Sequence, residues 1–371
     1  MKCKLNDICS FANEKIDVAL LSKTSYISTE NMLPNKAGIT TATSLPTVNQ
    51  TQAFKSNDVL ISNIRPYFKK IWYATFDGGC SNDVLVLRAN ADIDPHYLYY
   101  LLADDVFFDY ATATAKGTKM PRGDKAAIMK FEVNVYDIAV QRKIVSLLAD
   151  IDAKIALNNA INCNLEQQAQ ALFKSWFVDF EPFGGNMPSH WGKSTLGEVS
   201  DMSAGGDKPE IISASRTEKT TIPIFSNGLS DEGLYGYTDK ARITEESVTV
   251  SARGTIGYVC LRQEPFVPIV RLVTLVPHNN VVSAKYLYLW LKNLHIAGTG
   301  TTQQQLTVPD FKKTEILIPD IETVRRFTEI VNPMYLLLYS NKEENTRLST
   351  LRDTLLPKLM NGEIDVSEVE I

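Results

Sequence analysis

The residue patterns that could support covalent catalysis each fall short. Asn332-Pro-Met-Tyr335 comes close to the Asn-Pro-Pro-Tyr loop with which an adenine methyltransferase holds a flipped base, but Met334 stands where the second proline is needed. Trp191-Gly-Lys-Ser194 ends like a phosphate-binding loop, yet Met187 occupies the place of its first glycine. The four histidines, His96, His190, His278 and His295, are isolated, with neither His-Glu-x-x-His nor metal-ligand spacing. No Glu-x-Lys pair supplies a two-carboxylate nuclease site, and no Gly-x-Ser-x-Gly elbow supplies a serine nucleophile. The chain therefore reads as non-catalytic, without a metal site.

What remains is polar recognition surface. Lys55, Arg65, Lys69 and Lys70 interleave with Tyr67, Phe68, Trp72 and Tyr73, and residues 115–125 add Lys116, Lys119, Arg122 and Lys125. Cations on glycine loops suit contact with phosphates and entry into a groove. Taken singly, such a loop is more often a solvated turn beside core aromatics. The loop at the matching place in the second half carries Thr301, Thr302, Gln303, Gln304 and Gln305 where the first has cations. Glutamine can bond bidentately to adenine and threonine can meet the thymine methyl, so unlike side chains on equivalent loops suit two readers of two different sequences. Ser251-Ala-Arg-Gly-Thr-Ile-Gly257 offers Arg253 on a glycine-flanked turn as a further contact.

These loops are placed by a duplication. Asp58-Val-Leu-Ile-Ser62 resembles Ser247-Val-Thr-Val-Ser251 at an offset of 189, shared by Tyr97-Leu-Tyr99 and Tyr286-Leu-Tyr288. Beyond that the offset is 183, which aligns Val133-Asn-Val135 with Ile316-Leu-Ile318 and Arg142 with Arg325. Each half is a β-rich globule followed by a long helix, and within each globule one helix is predicted, over residues 95–110 and 283–294. The long helices carry a heptad seam with asparagines at matching positions, Asn158 and Asn162 in one, Asn341 and Asn345 in the other. An antiparallel pair that sets Asn158 against Asn345 also sets Asn162 against Asn341, and leaves Ile151 facing Arg352 as the single mismatched layer. Buried asparagines penalise a slipped register because a slip leaves an amide unpaired. Pro333, with Asn332 as a cap, is expected to divide the second copy, and Pro357 to end it. That leaves a dependable helix of ~25 residues, or ~38 Å, comparable with one ~34 Å turn of DNA.

Length and composition agree with a soluble globular protein of two or three domains: 371 residues, 44% hydrophobic, 22% charged. The N-terminus lacks an apolar core of signal-peptide length and no apolar run reaches a membrane span, so a cytoplasmic protein without membrane contact is expected. Cys3, Cys9, Cys80, Cys163 and Cys260 are scattered and read as free thiols. A net charge of −5 is weak evidence against nucleic acid, since the local field at a binding face decides.

In that order and with that duplication, several stretches resemble the DNA specificity subunits of type I restriction–modification systems. They are Tyr26-Ile-Ser-Thr-Glu-Asn-Met-Leu-Pro-Asn-Lys36, Gln141-Arg-Lys-Ile-Val145 before the long helix, Phe173-Lys-Ser-Trp-Phe177, the Arg253 turn, Gly300-Thr-Thr-Gln303 with Leu306-Thr-Val-Pro309, and Leu355-Leu-Pro-Lys-Leu359. The resemblance implies an α+β fold with two pseudo-twofold-related α/β target-recognition domains, separated by two long antiparallel coiled-coil helices. Its divisions are a first recognition domain over 1–140, a spacer helix over 141–180, a second recognition domain over 181–320, a second spacer over 321–360 and a tail over 361–371. Each domain would read one half of a bipartite asymmetric site in double-stranded DNA. Two modification subunits using S-adenosylmethionine, and restriction subunits using ATP and Mg, would join the chain, which binds no cofactor itself. Gly117-Thr-Lys-Met120 departs from the Gly-x-Thr-Gln pattern, so base reading is not carried over to that loop. Two alternatives from other classes are a coiled-coil protein adaptor and a bifunctional methyltransferase or nuclease chain. DNA binding in a salt series tests the first, and methyl transfer without partners tests the second.

Overall fold

A computed structural model describes residues 2–294, 296 and 305–366. The chain forms two compact units, one of residues 1–157 with 344–371 and one of residues 158–343. Each takes one globule together with part of both long helices.

In the first unit an antiparallel sheet runs in the order Cys9–Phe11, Val84–Ala89, Val59–Ser62, Ile71–Tyr73. A second sheet has the order Lys15–Asp17, Gln50–Phe54, Gly78–Cys80, Tyr26–Ile27, its last pairing parallel. Val59, Leu85 and Leu87 bury their side chains against Tyr97, Leu98, Leu101 and Phe107, and Ile144, Leu148, Leu356 and Leu359 of the long helices enter the same core. The single helix predicted over 95–110 is two, Pro95–Ala103 and Asp105–Ala113. The break falls at Asp104, whose extended backbone and carboxylate cap the second helix by accepting from the Val106 amide at 3.0 Å.

The second unit repeats the main sheet as Ser200–Ala204, Val273–Pro277, Ser247–Val250, Val259–Arg262. One helix, Ala284–Lys292, follows and is capped by Ser283. The two offsets meet in one contact. The Tyr97 hydroxyl donates to the Asn134 carbonyl at 2.8 Å, and the Tyr286 hydroxyl donates to the Leu317 carbonyl at 2.8 Å. Tyrosines 189 apart thus bond strand carbonyls 183 apart, which puts the six-residue deletion between them.

The long helices are Ile138–Phe177 and Ile321–Asn361, and neither proline acts as expected. Pro333 and Pro357 lie inside the second helix, so the ~25-residue length and its match to one DNA turn no longer follow. A proline deprives the carbonyl four residues earlier of its partner, at about 3 kcal/mol in a helix interior. Here those carbonyls belong to Glu329 and Asp353, both exposed residues. Around Pro333 the buried face of Phe327, Val331 and Tyr335 holds the helix together.

The antiparallel pairing is present in each unit. In the second unit the Asn341 amide donates to the Asn162 carbonyl oxygen at 2.8 Å, and the rings of Phe177 and Phe327 lie 5.0 Å apart. In the first, Lys154 meets Glu344 at 3.2 Å and Asp152 meets Arg352 at 2.8 Å. Arg352 is therefore not stranded opposite Ile151, because the neighbouring carboxylate takes it. Asn158 is buried in the second unit and Asn345 half-buried in the first. All five cysteines are free thiols. Among the described residues no helix is long and apolar enough to cross a membrane, and no group of residues forms a metal-ligand cluster.

Candidate nucleic-acid interface

In the first unit three loops are stitched together at the end of the strand Val59–Ser62. Arg65 and Lys69 flank the short turn Pro66–Phe68, and both have left-handed backbones, φ 51 in each case. Residues 116–122 close a hairpin in which Lys116 and Arg122 exchange backbone bonds of 2.8 and 2.9 Å, and the Arg65 amide donates to the Pro121 carbonyl at 2.8 Å. From the other side Asn35 and Lys36, also left-handed, donate their amides to the Phe68 and Lys69 carbonyls at 2.9 Å each. Non-glycine residues in that region cost on the order of 1 kcal/mol apiece, and such strain gathers at functional sites. Four of them on one surface mark this one. Beneath it, the Asn63 side-chain oxygen and the Arg65 Nε are buried with no hydrogen-bond partner among the described residues, a second sign of a surface not built for stability alone.

Carboxylates hold the cations in place. Asp105, the first residue of its helix, takes Lys36 at 2.8 Å and Lys69 at 2.9 Å. Partial burial pushes its pKa up, but the two ammonium groups outweigh this and hold it below the usual carboxylate range. Arg122 bonds Asp83 at 3.0 Å, Lys116 bonds Asp124 at 2.5 Å, and the Lys70 ammonium donates to the Thr29 carbonyl at 2.6 Å. Lys119 is exposed and has no ion pair among the described residues. Tyr67 and Phe68 are exposed beside the cations, whereas Trp72 packs on Phe54 and Tyr73 stacks on His96 at 4.0 Å, so those two aromatics serve the interior. Arg65, Lys69 and Lys70 thus share one patch with Lys116, Lys119 and Arg122, whereas Lys55 pairs with Glu14 and Lys125 lies over the Phe11 ring. Lys36, which sequence reasoning missed, belongs to the patch.

The second unit builds its surface on the equivalent turn. Gly254, 189 residues after Arg65, is likewise left-handed at φ +71, and the preceding Arg253 is exposed. The Arg253 guanidinium donates to the Gln305 side-chain oxygen at 3.0 and 3.3 Å, so the structure brings these two predicted residues together. Thr301, Thr302, Gln303 and Gln304 lie outside the described residues. Asn227 ties this turn to another: its oxygen accepts from the Ala252 amide and its amide donates to the Val270 carbonyl, both at 2.7 Å. Val270 and Arg271 are exposed and left-handed, φ 54 and 61, a rare state for a β-branched valine. Their amides donate to the carbonyls of Gly206 and Gly205, and a Cβ on Gly205 would come within 2.8 Å of the Ile269 backbone. Asn227 and Arg271 carry no periodic or motif signal, so only the fold reveals them.

Fold and surface define a class of protein: a duplicated pair of α/β globules on paired long helices, each globule presenting strained, cation-bearing turns. A family model described as the type I restriction modification DNA specificity domain matches residues 1–167 and 188–350. The chain is 26% identical to the type I restriction enzyme HindI specificity subunit of Haemophilus influenzae, covering 97% of this chain and 98% of that protein. It is 25% identical to the MjaIX specificity subunit of Methanocaldococcus jannaschii, over 74% and 70% of the two chains. The crystal structure of a type I restriction–modification S subunit from M. genitalium shares the fold, with a TM-score of 0.62 at 17% identity over 97% of this chain and 96% of that one. This chain belongs to the type I restriction–modification DNA specificity family. Its part is sequence specificity, exercised on DNA together with other subunits of such a system.

Proposed function

We propose that each globule reads one half of a bipartite, asymmetric site in double-stranded DNA, with the paired helices setting the gap between the halves. The observation that carries this reading is that the same left-handed turn follows the same strand in both copies but carries different side chains, Arg65 and its neighbouring lysines in one and Arg253 with Gln305 in the other. A retained backbone with changed polar groups supports two unlike readers on one scaffold. Arg65, Lys69, Lys70, Lys116, Lys119 and Arg122 would make mainly phosphate contacts in the first half-site. Arg253 and Gln305, with Thr301, Thr302, Gln303 and Gln304, would contact base edges in the second.

Two modification subunits would dock on the long helices, and restriction subunits would join them in the cytoplasm. S-adenosylmethionine, ATP and Mg belong to those partners. On the first helix Asn159, Ala160, Asn164, Gln167, Gln168 and Ala171 are exposed and uncharged, where a solvated helix face normally carries charge. Glu166, the one charge in that stretch, is turned inward to accept from the Tyr288 hydroxyl at 2.9 Å. Co-production with the modification subunits of the same host, followed by methylome sequencing, tests the reading. A bipartite motif with adenine methylated in each half is expected, and methylation without such a motif would sink it. Gln167→Glu combined with Gln168→Glu should weaken co-purification with the modification subunits.

A further inference from the structure

Beside the cation patch of the first globule lies a cleft of about 340 Å³ lined largely by hydroxyls and carboxylates, among them Thr41, Thr43, Ser81, Glu30 and Asp83. Its wall is fixed by Asn31, whose amide donates to the carbonyls of Tyr26 and Thr40 at 3.1 and 2.7 Å while its oxygen accepts from the Ser28 amide at 2.6 Å. Asn31 has no polar capacity left for a ligand. Glu30 differs: it is exposed and forms no hydrogen bond or ion pair through its side chain among the described residues. Nor do the Thr41 and Thr43 hydroxyls. The cleft begins where the cations end, since Lys70 bonds the carbonyl of its lining residue Thr29 and Arg122 bonds Asp83.

This division of charge selects a ligand. Cations at the rim attract phosphates, while in the cleft the Glu30 carboxylate and the Thr41 and Thr43 hydroxyls stand ready to accept, so the cleft suits an uncharged group that donates hydrogen bonds, brought there on a phosphate backbone. On base edges in the major groove the donors are the exocyclic amino groups of cytosine and adenine, and acidic side chains pair with the cytosine amino group. We propose that this cleft is a base-reading pocket of the first globule, in which Glu30 accepts from the amino group of a cytosine or adenine and Asp83 positions Arg122 at the rim. Thr41 and Thr43 supply hydroxyls and methyl groups to the same base pair or its neighbour. The proposal rests on the reading that this globule recognises a DNA half-site.

The test uses the chain assembled with the modification subunits of its host, comparing wild type with Glu30→Gln and Thr43→Val by methylome sequencing. Glutamine keeps the size of Glu30 but both donates and accepts, so it no longer favours a donor base. The expected result is a motif in which one position of one half-site becomes degenerate, with discrimination there falling on the order of tenfold or more, while the other half-site and the gap are unchanged. Thr43 is exposed and its side chain forms no hydrogen bond among the described residues, so its variant serves even if Glu30→Gln fails to assemble. A wild-type motif retained in full by the variants, or a uniform fall in methylation without loss of any base preference, would overturn the proposal. A wild-type complex that methylates without a bipartite motif would instead overturn the half-site reading beneath it.

Discussion

The two globules keep one backbone turn and treat its charges in opposite ways. In the first, Lys69, Lys116 and Arg122 are each pinned by a carboxylate, and Lys36 shares Asp105 with Lys69. In the second, Arg253 leans on the neutral amide oxygen of Gln305, and Arg271 has no ion pair among the described residues. A carboxylate fixes a cation's position at the cost of part of its field, whereas an amide leaves the full charge free to meet a partner. The lesson is that a duplicated fold preserves the path of the chain while the side chains on it diverge. Sheet order is decided by buried residues, and specificity by exposed ones.

The largest effect that sharpens the comparison is on stability. Phe173 is fully buried and its ring lies 5.6 Å from Tyr286 and 6.1 Å from Phe327. Phe173→Ala should destabilise the second unit by about 3–5 kcal/mol. Amide exchange should show protection lost there first, and equal loss in both units would mean that they do not unfold separately. Next come the second globule's glycines. Gly205→Ala forces a Cβ to 2.8 Å from backbone atoms of Ile269 and should cost about 2 kcal/mol or more in denaturant unfolding. Gly254→Ala meets open space and should cost only about 1 kcal/mol, the left-handed penalty alone.

On DNA, Arg253→Ala should cost about 1–3 kcal/mol and relax one base position. Lys119→Ala in the first globule should weaken all sequences alike and lower the salt slope by about 1, as a phosphate contact does. If both behave the same way in a competition assay, the contrast between the globules fails.

The smallest effect concerns the start of the second long helix. Asp320 accepts from the Thr323 amide and hydroxyl, the Trp191 indole and His190, at 2.9, 2.8, 3.0 and 3.3 Å. Partial burial pushes its pKa up, but those bonds prevail and hold it down at about 2. A carboxylate depressed on folding stabilises the protein above its unfolded pKa near 4, and that contribution fades as pH falls towards 2. After allowance for its exposure the contribution is about 1 kcal/mol. Asp320→Asn should therefore flatten the acid limb of the second unit's stability curve over that interval.

Much of this architecture was legible in the sequence because it is written in local chemistry. The two offsets aligned the halves in which Tyr97 and Tyr286 make equivalent contacts, and the asparagine spacing predicted the Asn162–Asn341 bond, since a buried amide tolerates few registers. The prolines stay within the helix because burial overrides local propensity. Packing of Phe327, Val331 and Tyr335 outweighs one missing hydrogen bond on the exposed residue Glu329. The stretch 95–110 is divided because Asp104, between two apolar runs of helical spacing, caps a second helix instead of continuing the first.

By itself the sequence determined the duplication, the presence of two long helices with matching asparagines, and the family of the protein. Each of these is carried by spacing along the chain, which burial and pairing rules translate directly. Only the tertiary structure decided which polar residues share a surface. Lys36 joins Lys69 on Asp105, Asn227 bridges Ala252 and Val270, and Glu30 and Asp83 line one cleft, although long stretches of chain separate them. Loop residues have no period, and the bonds that gather them come from strands meeting at the end of a sheet.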